Sequence, residues 1–129
     1  MSGLSPVRAL VEGSPQIAAS TPAQTSIGTD AAQVLAANYS RKGLIIQNTG
    51  TTVIKLVLGS GTPTASVFHV SLKACTAAND GTGGAYIDDS WIGPVQAISS
   101  ASGGTMVITE ITTGNPDWNR AAYGGGHGL

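Results

Sequence analysis

Between residues 33 and 112 the chain reads as short apolar runs separated by turn residues. The runs fall at 33–37, 42–48, 52–58, 67–74, 85–88, 95–99 and 105–112. Asn48-Thr49-Gly50, Gly59-Ser60-Gly61-Thr62-Pro63, the Gly-rich stretch from Asn79 to Gly84, Gly93-Pro94 and Ser102-Gly103-Gly104 divide them. Runs of this length at this spacing predict an antiparallel sandwich or barrel, and no stretch of helical period competes with them. The alternation also predicts faces. In 67–73, Phe68, Val70 and Leu72 share one side while His69, Ser71 and Lys73 take the other. Residues 52–58 differ, because Val53 and Val57 flank Lys55 on the side opposite Ile54, Leu56 and Leu58. Leu44-Ile45-Ile46 and Met106-Val107-Ile108 are likewise apolar on both sides. A strand of that kind needs cover on both faces. The predicted core is Leu44, Ile46, Ile54, Leu56, Phe68, Val70, Leu72 and Ile108.

The two ends have a different texture. Residues 1–29 carry Pro6, Pro15 and Pro22 among small polar residues, and no period survives for long. They read as an extended N-terminal arm, with one short strand near Gln16-Ile17-Ala18-Ala19. Strand texture stops after Thr112, and residues 113–129 form a Gly-rich tail. The expected organisation is therefore an arm over 1–29, a β-sandwich over 30–112 and a C-terminal tail over 113–129. The tail nevertheless holds Trp118, Arg120 and Tyr123, residue types enriched at interface hot spots. These three, with Arg8 in the N-terminal arm and Trp91 between two strands, are the candidate partner-binding residues.

Composition sharpens this picture. Charged residues make up 10% of the chain, against roughly 25% in an ordinary soluble domain. A surface so poor in ions is one that other protein can cover at little desolvation cost. Six Lys and Arg are scattered through 129 residues, and the net charge is -1, so no basic patch invites nucleic acid. No apolar run approaches the ~20 residues that span a bilayer, and the first residues lack the apolar stretch of a signal peptide. The single cysteine, Cys75, allows no internal disulfide and sits where a small buried hydrophobe is expected.

His69 and His127 are far apart, with no Cys or acid beside His127, so no metal or cofactor is expected. Asp88-Asp89 are adjacent and point to opposite faces if both are in a strand, which predicts a solvated acidic edge. Neither those two nor Asp80 falls in a calcium loop of the required pattern. The Gly runs at 83–84 and 124–126 lack the Lys-Ser/Thr of a phosphate loop. No catalytic residue is assigned, and the expectation is a protein that is not an enzyme.

The stretch Asn38-Tyr39-Ser40-Arg41-Lys42-Gly43-Leu44-Ile45-Ile46-Gln47-Asn48 resembles the N-x-x-R-K-x-L-x-I-Q-N opening of a β-domain found in small bacteriophage virion proteins. Tyr86-Ile87-Asp88-Asp89-Ser90-Trp91 and residues 95–110 are similar to later parts of the same domain, so the resemblance covers about 33–112. It implies a small antiparallel β-sandwich, jelly-roll-like. It also implies a structural role on a virion, assembled in the host cytoplasm. The expected function is that of a capsid decoration (cement) protein on the capsid surface. Its expected partners are the major capsid protein and further copies of itself, as a dimer or trimer, with no nucleic acid and no membrane. The competing readings are a tail, neck or fibre component, or a carbohydrate-binding module in which Trp91, Trp118 and Tyr123 stack on a sugar ring. On physical grounds, the long side chains of Arg41 and Lys42 are expected along the sheet edge with their charges in water. Asn48-Thr49-Gly50 is expected to make a tight turn that uses a positive φ at Gly50.

Overall fold

The computed structural model describes residues 17–113. The described residues form nine strands and no helix. They are β1 (Ile17–Ala19), β2 (Ala23–Ile27), β3 (Ala32–Leu35), β4 (Arg41–Asn48), β5 (Ile54–Leu58), β6 (Val70–Leu72), β7 (Ala85–Asp88), β8 (Val95–Ser99) and β9 (Gly104–Thr113). Two antiparallel sheets result. Sheet I runs β1-β9-β4-β7, with β2 also on β9, and sheet II runs β3-β8-β5-β6. The pairings β2 with β9, β3 with β8, β4 with β7 and β5 with β6 are nested inside one another along the chain. A long antiparallel hairpin rolled up on itself gives this order, which is the jelly-roll topology. The chain is thus an all-β jelly-roll sandwich.

Alternation along the strands builds the core. Leu44, Ile46, Ile54, Leu56, Leu72, Val95, Ala97 and Met106 are fully or almost fully buried between the sheets, with Ile27 closing one end. Val70 and Ile108 pack partly buried against this cluster. Burial of such side chains contributes roughly 1.5–3 kcal/mol each before the cost of ordering the chain.

Phe68, expected in the core, is 39% exposed instead. The strand expected over 67–74 pairs only at Val70–Leu72, opposite Leu56, Lys55 and Ile54. The preceding residues form a loop whose Pro63 is fully buried, and that loop carries Phe68 over the outer face of sheet II. There the Lys55 ammonium lies 4.6 Å from the centre of its ring. Alternation assigns a face only while a strand continues, and here it does not.

Part of the segment expected as an N-terminal arm is built into sheet I. Ile17–Ala19 pairs with Thr113, Thr112 and Ile111, and Ala23–Ile27 pairs with residues 104–108. The ten-residue β9 is long enough to carry both along one edge. Between them Ser20 bridges the gap: its N–H donates to the Glu110 carbonyl at 2.8 Å, and its hydroxyl accepts from the Glu110 N–H at 2.9 Å. Pro22 removes one donor, which an edge strand tolerates.

The turn after β4 also departs from expectation. Gly50 does not use a positive φ, which occurs instead at Gly59, Gly81, Gly103 and Asn79. Gly50 is buried against Thr105, whose hydroxyl and N–H would lie 2.9 and 3.1 Å from a Cβ. The position needs the absence of a side chain, and not the left-handed region.

Candidate functional site

Two features of the sandwich carry the chemistry that sequence reasoning sought: a polar knot at the start of β4, and the outer face of sheet I.

The knot begins with a β-bulge between Arg41 and Gly43 on the β4–β9 pairing. The extra residue lets Arg41 point inward, and its side chain is 0% exposed. The expectation that its charge sits in water is corrected here. Arg41 Nε donates to Glu110 at 2.9 Å, one terminal nitrogen donates to the carbonyls of Trp91 and Gly93, and the other donates to Ala36 at 2.7 Å. Asn38 joins through its amide to Glu110 at 3.3 Å and through its N–H to the Ile92 carbonyl. A buried guanidinium needs a counter-charge and acceptors for its remaining donors, and this geometry supplies both. The N-x-x-R motif is therefore a device for tying the β3–β4 and β7–β8 loops to β9. Trp91 belongs to the same corner. It is half-buried against the core, and its indole N–H donates to Pro94 at 3.0 Å.

At the other end of β4, Asn48 is fully buried. Its amide donates to the carbonyls of Thr52 and Leu72, and its side-chain oxygen accepts from Gly50 N–H. The Asn48 carbonyl in turn accepts from Cys75, which is buried. A Cβ at Gly83 would overlap that carbonyl, so the Gly-rich loop is pressed directly on the end of β4.

Two of the acidic residues, Asp80 and Asp88, hold turns. Asp80 is held down to about 2, chiefly by the Thr82 hydroxyl and N–H, with the Ala77 N–H adding to this. Asp88 is likewise lowered to about 2 by the Tyr86 hydroxyl and then by the N–H groups of Ser90 and Trp91. Tyr86 is pushed up to about 12, first by burial and then by the Asp88 carboxylate it donates to. Among the described residues no three His, Cys, Asp or Glu side chains group closely enough to hold a metal ion. His69 is exposed, and its Nδ1 accepts from the Leu58 N–H at 2.9 Å. Among the described residues no helix is long and apolar enough to cross a membrane.

The outer face of sheet I exposes a group of isoleucines. Inward positions of β4 and β9 alternate with outward Ile45 and Ile111, and Ile45 stands directly beside Ile87 across the β4–β7 pairing. Ile87 is 73% exposed and Ile17, at the far rim, 61%. Together with Lys42, Asp88 and Asp89 at one end, they line a shallow groove of about 710 Å³. Scattered exposed apolar residues are ordinary, but isoleucines grouped on one sheet face are not. Period-2 reading flagged Ile45 as needing cover and did not single out Ile87 or Ile17, whose strands are short.

Of the five candidate partner-binding residues, the structure places Trp91 at the polar knot. Arg8, Trp118, Arg120 and Tyr123 lie outside the described residues. No protein-family model matches the chain, and no curated protein matches it. One solved chain that it resembles comes from Bacillus endospore appendages that form disulfide-linked pili. The identity is 17%, the TM-score 0.47, and the match covers 80% of this chain and 93% of that one. A likeness of that size speaks to neither function nor assembly.

Proposed function

We propose that this protein is a non-enzymatic structural component of a bacteriophage particle, a capsid decoration (cement) protein that bridges neighbouring major capsid protein subunits. The observation that carries the reading is where the chain enters and leaves the sandwich. Ile17 is the register partner of Thr113, so both terminal segments depart from one corner of sheet I. Trp118 follows Thr113 by five residues, at most about 18 Å of extended chain. A rigid jelly roll with two tethers at one corner is suited to sit on one subunit while its termini engage the next. The sparse charge lowers the desolvation cost of that contact. Binding only to the assembled shell stabilises the shell by mass action.

The test uses particles lacking the protein. The full chain should bind the heads, be seen on the shell by electron cryomicroscopy, and raise the temperature at which the particles release their genome. A chain ending at residue 113 that keeps the wild-type melting temperature should bind poorly and protect little. Density confined to the tail or neck would refute the capsid assignment. A truncated chain that binds as tightly as the full one would refute the tethering mechanism.

A further inference from the structure

We infer that the isoleucine groove on the outer face of sheet I is a self-complementary surface that pairs two copies of this chain across a two-fold axis. The axis runs near the seam between β4 and β7. The pairing is independent of the capsid reading, because it forms between free chains in solution.

Three observations carry it. First, β4 and β7 pair in the register Leu44 with Asp88 and Ile45 with Ile87. The two isoleucines therefore stand side by side at the same level on the outer face. A two-fold axis along the seam, lying in the plane of the contact, exchanges the β4 side for the β7 side at a constant level. It lays Ile45 on the partner's Ile87 and Ile87 on the partner's Ile45, so each copy supplies what the other lacks. Second, the charges at one end of the groove obey the same rule. Lys42 is on the β4 side and Asp89 on the β7 side, both exposed and both lining the groove. The same rotation carries Lys42 to the partner's Asp89 and Asp89 to the partner's Lys42. Two opposite-charge contacts form at once, and no like charges meet. Third, the three charged residues of the groove, Lys42, Asp88 and Asp89, lie at one end, and the rest of its lining is apolar. Gly43 lets Ile111 pack flat on β4, with the Ile111 side chain 3.2 Å from where a Cβ would stand.

The charges should set register and orientation, and the isoleucines should supply most of the affinity. Sedimentation velocity on the full chain, with no particles present, tests both. The wild type should associate to a dimer as concentration rises into the micromolar range. Ile87→Lys introduces a charge at a largely exposed position and should weaken dimerisation by at least about tenfold, without lowering the melting temperature. Lys42→Asp alone and Asp89→Lys alone should each weaken it, because like charges then face one another twice. The double variant Lys42→Asp/Asp89→Lys should recover the dimer. So should an equimolar mixture of the two single variants, which tests the same pairing if the double variant folds poorly. A chain that stays monomeric at about 100 µM overturns the inference, whether the groove is then covered by its own terminal segments or by another protein. A dimer indifferent to Ile87→Lys, or charge swaps that restore nothing in both the double variant and the mixture, would overturn it too.

Discussion

The outer faces of the two sheets solve the same problem in opposite ways. Each sheet contains a strand that is apolar on both sides, so each outer face has hydrophobic side chains to cover. On sheet II the chain covers part of its own, leaving Val53 and Ile98 along an open pocket beside the loop. The loop over residues 59–69 folds back, with buried Pro63 at its centre and Gly61 packed on Val57, which is only 7% exposed. Lys55 fastens the loop by donating to the Ala65 carbonyl and by lying over Phe68. On sheet I, no loop among the described residues lies over Ile45 and Ile87. Two-sided apolar alternation therefore marks a demand for cover and leaves the source of the cover open. The roofed face contributes to folding, whereas the bare face has apolar area left for association.

Five substitutions and one pH series break or sharpen that contrast. The largest effect belongs to the feature both sheets depend on, the buried ion pair. Arg41→Ala leaves Glu110 and several loop carbonyls without their donor and should cost about 3–5 kcal/mol in a denaturant titration. A loss below about 1 kcal/mol would mean that water replaces the guanidinium easily and that the two loops are held to β9 by something else. Next comes the shared core: Leu56→Ala should cost about 2–5 kcal/mol, whichever face is roofed.

The contrast itself is read from a matched pair. Val57→Ala, beneath the loop, should cost roughly 1–2 kcal/mol from lost burial. Ile87→Ala, measured at low protein concentration, should change stability by no more than about 0.5 kcal/mol. Equal costs would show that sheet I is roofed after all. Phe68→Ala should fall between these, at roughly 0.5–1 kcal/mol, the size of an exposed cation–π contact and not of a core cavity.

The smallest effect is in pH. Asp80 and Asp88 titrate lower when folded than the ordinary 3.8. The unfolded chain therefore binds the protons first, and the stability these groups contribute is complete above about pH 4–5 and lost as pH falls toward 2. Tyr86 has the opposite sign: its folded value is raised from 10 to about 12. Its contribution is complete below pH 10 and disappears as pH rises through 12. Asp88→Asn should flatten the acid limb of a stability–pH profile. An acid limb unchanged by that substitution would locate it in other carboxylates. These groups lie near the surface, so the amplitudes should be modest and reduced by salt.

The number and placement of the central strands were determined by the sequence itself. Runs at 85–88 and 95–99 coincide with β7 and β8, and those at 42–48 and 105–112 fall within one residue of β4 and β9. Period-2 alternation with Gly- and Asn-rich turns is a local signal, and sheet strands with one face in a core have no freedom to ignore it. Residues 23–27 were not legible as β2, because Ala-Gln-Thr-Ser-Ile offers one buried side chain and pairs only because β9 provides an open edge. Phe68 and Arg41 were misplaced for a related reason. Alternation places a side chain correctly only within an unbroken strand, and a loop starts before Val70 while a bulge interrupts β4 at Arg41. Hydrophobicity alone puts phenylalanine inside and arginine outside. The tertiary structure reverses both, because a buried guanidinium that makes four hydrogen bonds can knit two loops to β9, and a ring beside Lys55 can hold a roof in place. Which outer face is bare is not written in any one strand, since cover comes from residues distant in sequence and is assigned only when the chain has closed on itself.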